Sequence, residues 1–166
     1  MCKKIILIAN LLLFSLASTA QKGLSIDSIF NEYGKRQGAV LLDLGKDIFN
    51  GHSQIERYKC LIIKDQQDAA TRINDAVKRD FKNHGHYGNG IIITEINDNG
   101  LLKKAFYALG CDATSRLTEY ILYSRNKRKI TLIYLNGRFK PHQLNMELEK
   151  LKDMFIKVNN KEIKIY

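Results

Sequence analysis

The chain has 166 residues, a formal charge of +10, 45% hydrophobic residues, one proline, three cysteines and no tryptophan. A disordered chain would hold fewer apolar residues, a collagen-like chain far more glycine and proline, and a disulfide-stapled mini-protein more cysteine. What remains is a globular domain with enough chain for one core.

The first twenty residues have the three-part layout of a secretory signal. Lys3 and Lys4 open it, an apolar run follows from Ile5 to Ala17, and Ser18-Thr19-Ala20 offers small residues at a cleavage site before Gln21. The run is well short of the about 20 residues a membrane-spanning helix needs, so removal is expected rather than anchoring. No cysteine directly follows it, which argues against lipoprotein processing, and Cys2 leaves with the signal. The expected organisation is a signal peptide over residues 1–20 and a single domain over 21–166. Cleavage leaves 146 residues and removes Lys3 and Lys4, lowering the charge to +8. The expected location is the periplasm or cell surface of a bacterium, which excludes an intracellular nucleic-acid partner.

Ser25 to Lys35 is expected to be helical, because Ile26, Ile29, Phe30 and Tyr33 recur at helical spacing. Ala39–Leu44 reads as a short buried strand, Gly45–Gly51 as a loop or helical turn, and Ile55–Lys64 as a strand. Asp65–Lys82 is the clearest helix, with an apolar stripe of Ala69, Ala70, Ile73, Ala76, Val77 and Phe81 opposite Arg72, Asp75, Lys78, Arg79 and Lys82. A glycine-rich break runs from Asn83 to Gly90. Four extended segments follow, Ile91–Ile96, Leu101–Leu109, Leu117–Ser124 and Ile130–Leu135, with helix an open alternative for the second. Asn97-Asp98-Asn99-Gly100 is a turn between the first two, and Arg125–Lys129 forms the polar tip of a hairpin joining the last two. Pro141 opens a second good helix along Leu144, Leu148, Leu151, Phe155 and Val158. Asn159-Asn160 stops it, and Ile163 and Ile165 mark a short last strand.

These elements sum to an α+β fold, a mostly antiparallel sheet of four or more strands with two amphipathic helices packed on one face. The Leu117–Leu135 hairpin carries apolar residues on both sides. Its second face must therefore meet the first helix, another subunit or a ligand.

Few constellations carry chemistry. His84 and His86 share a face if their segment is extended, and are the nearest approach to a metal motif, with Asp80 and His52 as further donors. Zinc requires three or four ligands, so no metal and no cofactor is expected. There is no G-x-S-x-G elbow, no phosphate-binding glycine loop and no Cys–His signature. Paired carboxylates such as Asp27 with Glu32, Asp43 with Asp47 and Glu95 with Asp98 are as well explained by capping and turns. Cys60 and Cys111 survive cleavage and lie in no C-x-x-C pair; a disulfide between them and two buried free thiols both remain open. Arg125, Lys127, Arg128 and Lys129 cluster at the hairpin tip. They form a patch for an anionic lipid or polysaccharide, or a solvated turn that protects the hairpin.

The order of a signal, then IFNEYGKRQGAVLLDLGKDIF, a long helix, a strand meander and ITLIYLNGRF before a leucine-spaced helix resembles small exported domains of unknown function from Bacteroidota. The shared features are a helix leading into Gly38-Ala39-Val40 and a late strand ending in Asn136-Gly137. The resemblance implies export, a compact α+β fold and an envelope setting, and brings no catalytic residues. The expected function is that of a non-enzymatic envelope protein, a small binding or accessory module whose partner is another envelope protein or a second copy. The alternatives are a small metal-dependent hydrolase using His84 and His86, and an anionic lipid- or polysaccharide-binding module.

Overall fold

The computed structural model of the protein describes residues 23–49, 51, 53–84, 90–111 and 116–158. The expected signal segment, His52, His86 and the expected last strand at Ile163 and Ile165 lie outside these residues.

Helix α1 (Ser25–Tyr33) leads into strand β1 (Val40–Gly45), one-turn helix α2 (Lys46–Phe49), strand β2 (Ile55–Lys64) and the long helix α3 (Gln67–His84). Strands β3 (Ile91–Asp98), β4 (Leu101–Cys111), β5 (Thr118–Arg125) and β6 (Lys129–Gly137) follow. A 3-10 turn (Pro141–Gln143) and helix α4 (Leu144–Val158) complete the described chain. The segment left open between strand and helix, Leu101–Leu109, is a strand. Asn99 and Gly100 both take positive φ, 51° and 80°, in the two-residue turn from β3 to β4, a conformation asparagine and glycine tolerate best.

The sheet has six strands in the order β1-β2-β6-β5-β4-β3, and every neighbouring pair is antiparallel. Strands β3 to β6 form a meander in chain order. The β1–β2 hairpin closes onto β6, and α3 carries the chain from β2 to the opposite edge at β3.

Alternation along the central strands generates two cores. On the front face, Leu61, Ile63, Ile121, Tyr123, Ile130, Leu132 and Tyr134 pack beneath Ile26, Ile29 and Phe30 of α1 and Ala70, Ile73 and Val77 of α3. On the back face, Tyr58, Cys60, Tyr120 and Leu135 meet Phe49 of α2, Phe139, and Leu144 and Leu151 of α4. The amphipathic helices that share one face are thus α1 and α3, while α4 covers the other. Apart from its tip, the β5–β6 hairpin is covered on both sides by the chain's own helices, so a helix of the chain takes the place of another subunit or a ligand on its second face.

Three buried polar side chains fasten these layers. Asp80 of α3, 1% exposed, accepts the backbone N–H groups of Ser25 (2.7 Å) and Ile26 (2.9 Å). Helix α1 has no side-chain cap of its own. The Asp80 carboxylate therefore satisfies N–H groups left over at the helix start and meets the positive end of its dipole. Asn74 Oδ1 accepts the Leu102 N–H at 3.1 Å and ties α3 to β4. Glu147 of α4 accepts from the Ser53 hydroxyl (2.8 Å) and the Gln54 N–H (2.9 Å) and pairs with Lys150 (2.7 Å).

At the end of β6, Tyr120 stacks on Phe139 with centroids 5.0 Å apart and donates its hydroxyl to the Phe139 carbonyl. A Cβ on Gly137 would run into the Phe139 ring and the Gln54 carbonyl oxygen. Gly38, by contrast, has open space around it but a φ of +78°. Among the described residues no helix is long and apolar enough to cross a membrane.

Asp80→Ala should destabilise the protein by about 2–4 kcal/mol, since it strands two buried donors at once, with Asp80→Asn recovering part of the loss; urea unfolding midpoints measure both. Gly137→Ala should cost about 1–3 kcal/mol through overpacking, more than Gly38→Ala, where the backbone strain alone is about 1 kcal/mol. Paired thermal melts give the order.

Candidate interaction site

The residues singled out for chemistry are dispersed by the fold. His84 ends α3, and its Nδ1 lies 3.2 Å from the Asp80 carbonyl oxygen. The Asp80 carboxylate, a candidate fourth donor for a metal, is taken up by the start of α1. Cys60 is a buried free thiol on β2. Cys111 lies on β4, with β6 and β5 between them, so their backbones are about 14 Å apart across the sheet, twice what a disulfide spans. Burial pushes the Cys60 thiol up, against smaller opposing effects of Tyr58 and Lys129, and so keeps it protonated at neutral pH.

The basic hairpin tip is divided between the two faces. Arg125 turns to the front, where Nε meets Asp65 at 2.8 Å and Nη2 meets Gln67 Oε1 at 3.0 Å. Its charge is therefore already balanced. Lys127 and Arg128 are exposed at the tip, and the Asn126 side-chain oxygen accepts the backbone N–H groups of Arg128 and Lys129. Lys129 is half-buried on β6, on the same side as Ile133 and Leu135, which is the back face.

Polar groups do converge on the front face, beyond the start of α1. Asp43, Lys59 and Tyr134 stand side by side on β1, β2 and β6, and Arg57, Asn136 and Glu119 form the adjoining row. Lys59 reaches Asp27 of α1 at 3.0 Å and Asp43 at 4.0 Å, Arg57 holds Asp43 at 3.1 Å, and the Tyr134 hydroxyl donates to Glu119 at 2.7 Å. Burial, then the Glu119 carboxylate, drives the Tyr134 hydroxyl well above its ordinary value, so it holds its proton. Each charged group here has a partner of opposite character, while Asn136 donates Nδ2 to the Tyr134 hydroxyl at 3.2 Å and its buried Oδ1 has no partner among the described residues. The rows anchor α1 and the edge strand β1 to the sheet, and a ligand would have to break an ion pair to enter.

A cavity of about 380 Å³ opens at the other side of the same sheet end, between α2, the start of β2 and Arg138. Phe49 and Ile55 form its floor, and Glu56 sits at its rim between Lys46 (3.7 Å) and Arg138 (3.0 Å). Ser53 and Gln54, also in its lining, are the pair held by Glu147.

The longest run of exposed apolar side chains lies at β3; the other edge strand, β1, expected to be buried, exposes Val40 and Leu41, and Ile48 and Met146 are exposed singly. Among the described residues β3 pairs only with β4, and Ile91, Ile92, Ile93 and Ile96 are 50%, 51%, 37% and 49% exposed. Its pairing slips between Ile92 and Thr94, where Ile93 has no partner on β4. Consecutive exposed isoleucines mean that neither face of the strand is covered. The strand has no lysine, arginine or proline, the residues that usually blunt a free edge. Its acids are Glu95 and Asp98; Glu95 accepts from the Tyr107 hydroxyl (2.5 Å) and Asn97 (2.9 Å), and these bonds hold its carboxyl below the usual range.

A model of a family of unknown function matches residues 13–148, a span that contains all six strands. The chain belongs to that family, DUF6108. No curated protein matches it. Among solved structures it is similar to a protein of unknown function, PA94 from Pseudomonas aeruginosa, at 13% identity and a TM-score of 0.34, over 77% of this chain and 86% of that one. A likeness so slight bears on neither function nor mechanism.

One pH dependence follows from the cavity wall. Burial alone would raise the Glu147 carboxyl, but the Lys150 ammonium, the Gln54 N–H and the Ser53 hydroxyl outweigh it and hold the carboxyl below its ordinary value. A lowered folded-state value means that this stabilisation is complete above the unfolded glutamate value of about 4.3 and fades as pH falls through the folded one. Glu147→Gln should lower stability at pH 7 by about 1–2 kcal/mol and flatten the loss between about pH 5 and pH 3. Urea titrations across that range measure both effects.

Proposed function

We propose that the protein is a non-enzymatic binding module of the bacterial envelope, which takes an extended strand of another envelope protein on the free edge of β3. The observation that carries this reading is the unblunted isoleucine edge, open on both faces and along its backbone among the described residues. Strand addition uses these properties: the free N–H and C=O groups supply affinity, and side-chain contacts on either face supply selectivity. Glu95 and Asp98, with no basic residue on the strand, favour a partner strand in which apolar and basic residues alternate. The envelope setting rests on residues 1–20, and the Bacteroidota affinity on the order of segments around Gly38-Ala39-Val40 and Asn136-Gly137.

The probe is a synthetic eight-residue peptide of alternating isoleucine and lysine. Backbone amides of residues 91–98 should gain protection from hydrogen exchange when it is added, in a complex of one peptide per chain by sedimentation. Ile93→Lys should abolish that protection and leave the melting temperature within about 1 °C, because an exposed side chain contributes little. Protection of β3 without peptide, in a dimer of the chain, would replace this reading with self-association. No protection at β3 at all would remove it.

A further inference from the structure

We propose that the back-face corner built by Lys64, Lys104 and Lys129, with the hydroxyls of Ser124 and Thr131 between them, docks the anionic headgroups of a phospholipid bilayer. The strand register alone assembles this corner. Lys64 and Lys129 are directly opposed on β2 and β6, about 5 Å apart at Cα. Two residues further in, Thr131, Ser124 and Lys104 stand side by side on β6, β5 and β4. All five point to the back face, since they alternate with the front-face residues Ile63, Ile130, Leu132, Tyr123 and Ala105. Lys64, Lys104 and Ser124 are exposed. No ion pair reaches Lys64 or Lys104 among the described residues. The carboxylate closest in sequence, Asp65, is turned to the front and held by Arg125.

The dimensions favour a surface over a single small ion. Lys104 is about 12 Å from Lys129 and about 16 Å from Lys64 across a pleated sheet. Lys127 and Arg128 extend the positive field beyond the tip. Ile96 is directly opposite Lys104 on β3, on the same face and half-exposed, which places an apolar side chain at the rim of the cations. Cations bordered by an exposed aliphatic side chain suit the boundary between headgroups and acyl chains. Ile96 is shared with the β3 edge, whereas the three lysines stand on β2, β4 and β6.

The test is co-sedimentation of the purified protein with vesicles of phosphatidylglycerol and phosphatidylcholine, and of phosphatidylcholine alone. Binding should require phosphatidylglycerol and weaken with salt. Each of Lys64→Gln, Lys104→Gln and Lys129→Gln should weaken it roughly fivefold, and the triple variant should lose it. The matching lysine-to-arginine triple variant should retain it. Lys64→Gln should melt within about 1 °C of the parent, because an exposed side chain contributes little, so loss of binding cannot be ascribed to unfolding. Ile96→Ser should reduce binding without changing its salt dependence. Absence of binding to phosphatidylglycerol vesicles, or binding undiminished in the glutamine triple variant, overturns the proposal. Lysine-dependent retention on an acidic polysaccharide column without vesicle binding also overturns it, and reassigns the corner to polysaccharide.

Discussion

The β5–β6 hairpin is apolar on both sides, and that constraint organises the molecule. Tyr120, Ile121, Tyr123, Ile130, Leu132 and Leu135 cannot all be hidden by one layer of helices. The chain answers with two layers, α1 and α3 in front and α2, the 3-10 turn and α4 behind. Each layer is joined to the rest by a buried carboxylate on a helix that accepts backbone N–H groups from a distant segment, Asp80 in front and Glu147 behind. The buried charge is tolerated because each oxygen has a donor. The bond is directional, so it sets where the helix sits as well as how firmly it is held.

Much of this was legible in the sequence because its periodicities are clean. The α3 stripe, the four late strands, the Asn99-Gly100 turn and the break after α3 all follow from spacing and turn chemistry. The buried polar residues were not recognised, although they left a signal. Asp80 stands three residues past Val77 and Glu147 three past Leu144, so both fall on an apolar stripe where a solvent-facing acid has no place. A carboxylate in that position signals a distant backbone donor, but spacing alone cannot say which one. Leu101–Leu109 was ambiguous because its residues fit a helical stripe as well as alternation, and its pairing with both β3 and β5 decided between them.

The candidate sites were less legible for a related reason. Neighbours in sequence alternate between faces of a strand, so Arg125 to Lys129 reads as one basic cluster while the sheet sends Arg125 to the front and Lys129 to the back. Residues far apart in sequence, Lys64, Lys104 and Lys129, meet only once register is known. The same holds for the isoleucines of β3, whose sequence reads only as an extended segment. They are exposed because α3 delivers the chain to the outer edge of the sheet, and nothing in the local sequence specifies that placement.

The same crossover has a consequence for how the molecule is assembled. Strand β2 leaves the growing chain well before β6, the strand it must pair with, and Ile55 finds Gly137 only after the whole meander has been made. The meander of β3 to β6 has local pairings and can form early, whereas the β1–β2 hairpin must close a long loop to find its place. Until then the inner edge of β6 is a second open edge, and the front core lacks one wall. The interval between synthesis of β2 and arrival of β6 is therefore when this chain most needs protection from wrong pairing.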